Sequence, residues 1–282
     1  MKQILIPTDF SENAWNALLY AVHLLQNEPC VYFILNVYKV NSNLADATLV
    51  AQGEELFEKE EIRSERKLDE LIQNLNEAKR NPDHTFRTFS IGGDLVEAVL
   101  EMMVNFTFDY IVMGTKGATG AKEIFIGSNT VKVAKGVTTC PVMAVPNDSE
   151  RRRLDHMVFA TAFRHVYTKD ELLPLIRLSR IWNSKVDILY VDMETIPLEK
   201  EQVLNKDILT HLLRATDFDF MDVEGNLDVS GTITNYVHKN SVDLVALIHK
   251  KQGFLNRLFR EPVVKKVAFH TQVPFLILPE SA

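Results

Sequence analysis

Three glycines near the middle of the chain have the spacing expected of a phosphate-binding loop. Gly114 and Gly117 stand close together, and Gly127 follows after nine intervening residues, directly before Ser128. A glycine at the end of a buried strand lets a ligand approach the backbone, and a glycine in a tight turn adopts positive φ without strain. The N–H groups at the start of a helix favour an anion, and the Ser128 hydroxyl can donate to a phosphate oxygen. The segment therefore predicts a site for a phosphate chain.

Other motifs of nucleotide-binding or catalytic chemistry are missing from the sequence. The glycine segment matches neither the Walker A pattern, Gly-x4-Gly-Lys-Ser/Thr, nor the dinucleotide pattern Gly-x-Gly-x2-Gly after a first strand. The metal spacings His-x3-His and Cys-x2-Cys and the nucleophile elbow Gly-x-Ser-x-Gly do not occur. We therefore assign no catalytic residue.

The chain contains two copies of one pattern. The segment 109–113, Asp-Tyr-Ile-Val-Met, is matched by 243–247, Asp-Leu-Val-Ala-Leu, and Pro141 is matched by Pro274. The opening residues 4–10 are matched in the same way by residues 157–163. These matches predict two domains, residues 1–146 and 153–282, joined by the polar segment 147–153 as a linker.

Apolar strands alternate with amphipathic helices in each copy. In the first copy we predict strands at Gln3–Thr8, Val31–Val37, Thr85–Ser90, Tyr110–Met113 and Pro141–Val145, and helices at Ser11–Gln26, Gly53–Arg80, Leu95–Phe106 and from about Ser128. In the second copy we predict strands at Met157–Thr161, Val186–Val191, Leu244–Ile248 and Pro274–Leu278. This alternation predicts an α/β fold with a mainly parallel sheet and helices on both faces. Ligands of such folds bind beyond the carboxyl ends of the strands, so we expect binding residues after Thr8, Val37 and Met113.

The glycine pattern and the first strand resemble the universal stress protein family. Its ATP-binding members carry Gly-x2-Gly-x9-Gly-Ser/Thr, which Gly114, Gly117, Gly127 and Ser128 match in full, and their first strand ends in a segment like Pro7-Thr8-Asp9. The resemblance covers the first copy from end to end and the second copy more weakly. It implies two tandem Rossmann-like domains of the adenine nucleotide alpha hydrolase-like kind, each a five-stranded, mainly parallel sheet.

The resemblance also implies a ligand and the residues that bind it. The ligand is ATP, with ADP, AMP and an accompanying Mg²⁺ left open. Asp9 would lie beside the adenine and the ribose, although a carboxylate that opposes the dipole of the first helix is the alternative role for it. Lys116 is added on its charge and position alone, against a solvated loop lysine. The full set of implied binding residues is Pro7, Thr8, Asp9, Val37, Met113, Gly114, Lys116, Gly117, Gly127, Ser128 and Asn129.

The second copy lacks this chemistry at the matching positions. Ala162 stands where the first copy has its aspartate, Ile248 and Lys251 where it has its first two glycines, and Arg260 and Glu261 where it has its third glycine and the serine. A bulky isoleucine blocks close approach to the backbone, and a glutamate repels phosphate. We therefore expect the N-terminal domain alone to hold the nucleotide.

The last strands of the two copies are expected to pair with each other. By the resemblance, residues 142–145 and 275–278 form a pseudo-dimer within one chain, which would also protect otherwise exposed strand edges. A homodimer of two chains and an unidentified protein partner are left open.

The composition narrows the class of protein further. The chain has 282 residues, a net charge of −7 and two cysteines, Cys30 and Cys140, which we expect to be buried thiols. The acidic balance argues against nucleic-acid binding. No apolar run is long enough to cross a membrane, and the first one is too short for a signal peptide. A cytoplasmic location is therefore expected.

Three functions remain open at this point. An ATP-binding regulatory or stress-response protein, whose nucleotide occupancy sets loop order and partner choice, is favoured. The alternatives are a nucleotide-independent scaffold and an enzyme that hydrolyses ATP slowly. Hydrolysis would need a metal and a positioned water, and Asp9 is the only nearby carboxylate that we can name, so efficient turnover is not expected.

Overall fold

The computed structural model describes most of the chain. The described residues are 1–39, 47–78, 81–115, 127–147, 149–191, 198–221, 229–249 and 273–280.

The N-terminal half alternates strands and helices as predicted. Its helix α1 begins where expected, because Ser11 caps it by accepting a hydrogen bond from the Ala14 N–H. The long second helix begins at Ala47, six residues before the predicted start at Gly53. The elements are β1 (Lys2–Thr8), α1 (Glu12–Leu24), β2 (Cys30–Tyr38), α2 (Ala47–Ala78), β3 (His84–Gly92), α3 (Leu95–Asn105), β4 (Tyr110–Gly114), α4 (Ser128–Gly136) and β5 (Val142–Val145).

The C-terminal half repeats this alternation and contains a fifth strand, β8, that the sequence analysis did not locate. Its four predicted strands correspond to β6, β7, β9 and β10. The elements are β6 (His156–Thr161), α5 (Lys169–Trp182), β7 (Lys185–Tyr190), α6 (Lys200–Leu213), β8 (Phe218–Met221), α7 (Val229–Asn240), β9 (Leu244–His249) and β10 (Phe275–Pro279).

The ten strands found in the described residues form one sheet, in the order β3-β2-β1-β4-β5-β10-β9-β6-β7-β8. Pairing is parallel within each half, as predicted. The two halves meet where β5 and β10 pair antiparallel, with Met143 opposite Leu276. This is the expected intramolecular pairing of the two last strands.

Helices cover both faces of the sheet and create two hydrophobic cores. One core contains Leu18 of α1, Leu75 of α2 and Leu175 of α5. The other contains Val99 of α3, Val133 of α4 and other apolar residues, including Ile233 of α7. Each core includes residues of both halves, so the helices pack on a single continuous sheet.

The joining segment between the halves is held against α1. Asn16 donates through Nδ2 to the backbone oxygen of Asn147 over 2.9 Å and accepts at Oδ1 from Arg151 over 3.0 Å. Arg152 then forms an ion pair with Asp243 at the start of β9, with Nε and Oδ1 2.7 Å apart. The polar residues that predicted a linker therefore make defined contacts to both halves.

Both cysteines are buried free thiols, as expected. Burial raises the pKa of Cys30 to about 11 and shifts the pKa of Cys140 in the same direction. Because the thiolate is the reactive form, these thiols are protonated and unreactive near neutral pH. None of the described helices combines the length and the apolar content that crossing a membrane requires.

Asp187 is a buried carboxylate in β7 that accepts hydrogen bonds from two side chains and lies next to the ammonium group of a third. His156 Nε2 donates to Oδ2 over 2.6 Å, the Tyr236 hydroxyl donates to the same oxygen, and Lys185 Nζ lies 3.5 Å from Oδ1. Burial alone would raise the pKa of this carboxyl, but the hydrogen bonds and the positive charges outweigh burial, so its pKa lies below the usual value.

We expect the stability of the protein to depend on pH through Asp187. A carboxyl whose pKa is lower in the folded chain stabilises the fold fully above its unfolded pKa of about 3.9, and this contribution is lost as the pH falls through the folded pKa. Urea unfolding of the wild type and Asp187→Asn should show a difference in unfolding free energy at about pH 7 that shrinks below about pH 4. An equal difference at both pH values would contradict this role.

Candidate functional site

Those predicted binding residues that the structure describes lie at one edge of the sheet, where the strands of the N-terminal half end. In the N-terminal half, β1 lies between β2 and β4, so the carboxyl ends of these three parallel strands are neighbours. The N-terminus of α4 adjoins them, because the Thr130 hydroxyl in its first turn donates to the backbone oxygen of Gly114 over 2.8 Å. We call this edge, with the start of α4, the candidate site.

The end of β1 is a turn that its own polar side chains fix. Thr8 is buried, and its Oγ1 accepts a hydrogen bond from the Phe10 N–H over 3.1 Å. Asp9 is exposed, and its Oδ1 accepts from the Ser11 N–H over 3.0 Å. Phe10 has a positive φ of 62°. The Asp9 carboxylate therefore lies at the N-terminus of α1, a position that suits both roles considered for it.

Val37 lies beyond the last residue pair between β2 and β1. That pairing ends with Thr8 opposite Asn36, whereas Val37 still pairs with Ile91 of β3 on its other side. Val37 thus lies where the backbone of β2 continues past the end of β1. This arrangement is compatible with the predicted backbone contact to a base.

The N-terminus of α4 has no side-chain cap. Gly127 occupies the N-cap position without a side-chain hydrogen bond, and its backbone oxygen accepts the first helical bond, from the Val131 N–H, over 3.0 Å. Ser128 and Asn129 are exposed, and the first turn contains no acidic residue. The first N–H groups of this helix and the positive end of its dipole thus face the candidate site without a compensating carboxylate in that turn.

Thr115 adds a polar group that the sequence analysis missed. It follows β4 directly and is 2% exposed, yet its hydroxyl has no hydrogen-bond partner among the residues that the structure describes. A buried hydroxyl without a partner costs free energy, typically about 1–3 kcal/mol. Its position after a buried strand and a glycine is the signal that could have identified it.

The remaining predicted residues contribute less through their side chains. Pro7 is buried in β1, and Met113 is 5% exposed in the core beneath α4, so only their backbones lie near the edge. Lys116 and Gly117 lie outside the described residues.

Gly114 has a packing role that the sequence analysis did not foresee. A Cβ at this position would lie 2.4 Å from Asn13 Oδ1 and 3.0 Å from the Asn13 backbone oxygen. The first turn of α1 thus occupies the space beside Gly114. Its predicted role beside a ligand remains a prediction.

The C-terminal half fills the matching edge with its own chain. Residues 164–167 are inserted between Phe163 and the N-cap Thr168, whereas Ser11 caps α1 directly after Phe10. Tyr167 of this insertion is 4% exposed, and its hydroxyl contacts Thr161 Oγ1 at 2.5 Å.

The insertion has further contacts that hold it in place. His165 Nε2 lies 3.0 Å from both carboxylate oxygens of the buried Glu171. Ala162 occupies the position that matches Asp9 of the N-terminal half. Its backbone oxygen accepts a hydrogen bond from Gln202 Nε2 of α6 over 2.8 Å. Ile248 lies in β9 at the matching position of Gly114, and Lys251, Arg260 and Glu261 lie outside the described residues.

Comparison with known proteins assigns the family. The family model described as universal stress protein family matches residues 1–146, which is half of the chain. The chain belongs to the universal stress protein family. Universal stress protein YxiE of Bacillus subtilis (strain 168) is 28% identical over 147 residues, which are 51% of this chain and 97% of that protein. Universal stress protein MJ0531 of Methanocaldococcus jannaschii is also 28% identical, over 51% of this chain and 81% of its own length.

The fold of the whole chain matches a solved universal stress protein. The crystal structure of such a protein from Archaeoglobus fulgidus superposes with a TM-score of 0.67 and covers 98% of this chain and 96% of its own. Its sequence identity is 16%, so this likeness concerns the fold alone. The universal stress protein fold therefore extends through both halves.

Gly114→Ala should destabilise the protein by about 1–3 kcal/mol, which is typical of an overpacked position. The added Cβ would collide with the side chain and the backbone of Asn13. The free energy of unfolding in urea measures the cost. The double variant Asn13→Ala/Gly114→Ala should lose less than the sum of the two single variants, because Asn13→Ala removes the side-chain collision. An unchanged stability of Gly114→Ala would contradict the packing role.

Proposed function

We propose that the N-terminal half binds an adenine nucleotide, ATP foremost, with its phosphates at the N-terminus of α4. The observation that supports this best is the start of α4 at Gly127, beside the buried hydroxyl of Thr115; within the described part of the chain, the former has no side-chain cap and the latter has no hydrogen-bond partner. A phosphate group would accept hydrogen bonds from the free N–H groups of α4 and from this hydroxyl. Lys116 and Gly117, outside the described residues, belong to the proposal on sequence grounds.

The base and the ribose are proposed to lie at the ends of β1 and β2. Neighbouring strands are about 4.8 Å apart, so the distance from β4 across β1 to β2 is about 10 Å, which suits the length of a nucleotide. The Asp9 carboxylate would accept from the ribose, and Val37, where β2 continues past β1, would offer a backbone group to the base. Pro7, Thr8, Met113, Gly114, Ser128 and Asn129 complete the proposed set.

The C-terminal half is proposed not to bind nucleotide. Its 164–167 insertion fills the edge, and Ala162 supplies no carboxylate. We therefore propose the division into residues 1–146, which bind, and residues 153–282, which do not. Nucleotide occupancy would then regulate which protein partner the N-terminal domain contacts, in keeping with a cytoplasmic stress-response role.

One nucleotide per chain is the expected stoichiometry in isothermal titration of the full chain. ATP, ADP and AMP should be compared, each with and without Mg²⁺. One solved universal stress protein, 20% identical over 51% of this chain with a TM-score of 0.33, is a complex with cAMP, so cAMP joins the series. Two bound nucleotides per chain, or none, would overturn the proposal.

Ser128→Glu should weaken ATP binding by at least about tenfold, or about 1.4 kcal/mol. The new carboxylate would stand in the first turn of α4, where it repels a phosphate. The same carboxylate favours the helix dipole by about 0.3–1 kcal/mol, so the fold should be as stable as the wild type or more stable. Titration measures the affinity, and thermal unfolding measures the stability.

Ser128→Gln is the matched control, since it adds a side chain of the same length without a charge. Its affinity for ATP should stay within about threefold of the wild type if the charge is decisive. Equal affinities of Ser128→Glu and the wild type would show that the phosphates do not bind at α4.

A further inference from the structure

The two halves contain the same turn but cover its phenylalanine differently. Phe10 and Phe163 have positive φ values of 62° and 54°, and each N–H donates to the hydroxyl of the threonine two residues before it. Phe163 is 2% exposed, whereas Phe10 is only partly buried. A difference in neighbours must therefore account for the difference in exposure.

Aromatic rings cover Phe163 in the C-terminal half. Tyr190 stacks on it, with ring centroids 5.2 Å apart and planes 9° from parallel. Phe220 meets it edge-on at 5.9 Å. Tyr190 lies on β7 opposite Thr161, so it occupies a defined place in the sheet beside the turn.

In the N-terminal half the position that matches Tyr190 is Asn36, which lies on β2 opposite Thr8 of β1. Its Nδ2 donates to the backbone oxygen of Thr8 over 2.7 Å, and its Oδ1 accepts from the Ser64 hydroxyl over 2.8 Å. The Ser90 hydroxyl donates in turn to Ser64 Oγ over 2.7 Å. Asn36 is 7% exposed, so this chain of hydrogen bonds is buried and fixes the end of β1 to α2 and β3.

The ring of Phe10 is consequently left without an aromatic cover. Lys67 Nζ lies 5.1 Å from its centroid, and within the described part of the chain no aromatic ring stacks on it. Phe10 also packs in part against the hydrophobic core, so only part of its ring is exposed. That exposed part, next to a cation, is a surface on which a nucleobase can pack, since every base has a π-face.

We propose that Asn36 allows the N-terminal half to bind the base of a nucleotide, because it positions the end of β1 and leaves part of the Phe10 ring exposed to the base. This inference rests on the proposed function and adds two residues to it, neither of which the glycine pattern includes. Phe10 directly follows Asp9, and β1 lies between the strands that lead to Val37 and Gly114. A base on Phe10 is thus compatible with phosphates at α4.

The test is Asn36→Tyr, which gives the N-terminal half the residue that covers Phe163 in the other half. Titration of the full chain compares ATP with inorganic triphosphate, which has no base. ATP should bind at least about tenfold more weakly to the variant, while triphosphate affinity should change by less than about twofold. Equal weakening of both ligands, or no weakening of ATP, would overturn the inference.

Two further variants separate this inference from the proposed function. Ser128→Glu should weaken ATP and triphosphate alike, because it acts on the phosphates. Tyr190→Asn makes the reverse exchange in the C-terminal half and should leave ATP affinity unchanged. If the wild type binds triphosphate as tightly as ATP, the base subsite is refuted while the phosphate site stands; if it binds neither, the proposed function fails as well.

Phe10→Leu keeps the test decisive if Asn36→Tyr does not fold. Leucine retains an apolar side chain at the same backbone position but removes the flat ring. It should again weaken ATP and spare triphosphate, and thermal unfolding should confirm that the variant is folded. An ATP affinity equal to that of the wild type in folded Phe10→Leu would overturn the stacking role.

Discussion

The pairing of β5 with β10 is the constraint on which the arrangement of the molecule depends. Every residue of β5 is buried, and so are Phe275, Leu276 and Ile277 on β10. Apart from each other, these strands would expose unpaired backbone groups and apolar side chains at two sheet edges. Their antiparallel pairing satisfies those groups and lets both hydrophobic cores continue from one half into the other.

The direction of this pairing also decides at which edge of the sheet the strands of each half end. Strands are parallel within each half, and the junction reverses their direction. The carboxyl ends of the N-terminal strands therefore lie at the opposite edge of the sheet from those of the C-terminal strands. The joining segment illustrates this, because Arg152, just after β5, reaches Asp243 at the start of β9. A ligand bound where the N-terminal strands end is therefore about one strand length away from the edge where the C-terminal strands end.

The start of the first helix explains much of the difference between the halves. In the N-terminal half Ser11 caps α1 directly after Phe10, so Asn13 packs against β4 and requires a glycine at position 114. In the C-terminal half the 164–167 insertion delays α5, and β9 has Ile248 at the matching position. The glycine that the sequence analysis assigned to ligand approach is thus also a consequence of helix packing.

The sequence predicted the strands well because they are continuous apolar runs between turn residues. The parallel sheet, the intrachain pairing and the buried cysteines follow from the same signal. The edge strand β8 was missed because it is four residues long and only partly buried, so its sequence Phe-Asp-Phe-Met lacks an apolar run. Sequence also did not reveal the buried hydroxyl of Thr115 or the contacts of Asn36, because both depend on which strands become neighbours.

Asn36 and Tyr190 occupy matching positions but fix the turn after the first strand of their half by different interactions. The two aromatic contacts of Phe163 contribute about 0.5–1.5 kcal/mol each beyond the area that they bury. In the N-terminal half three hydrogen bonds of Asn36, Ser64 and Ser90 take that place, and each contributes a similar net free energy of about 0.5–1.5 kcal/mol. Since each core contains residues of both halves, the packing around Phe163 and the packing around Phe10 belong to one connected structure and are not independent of each other.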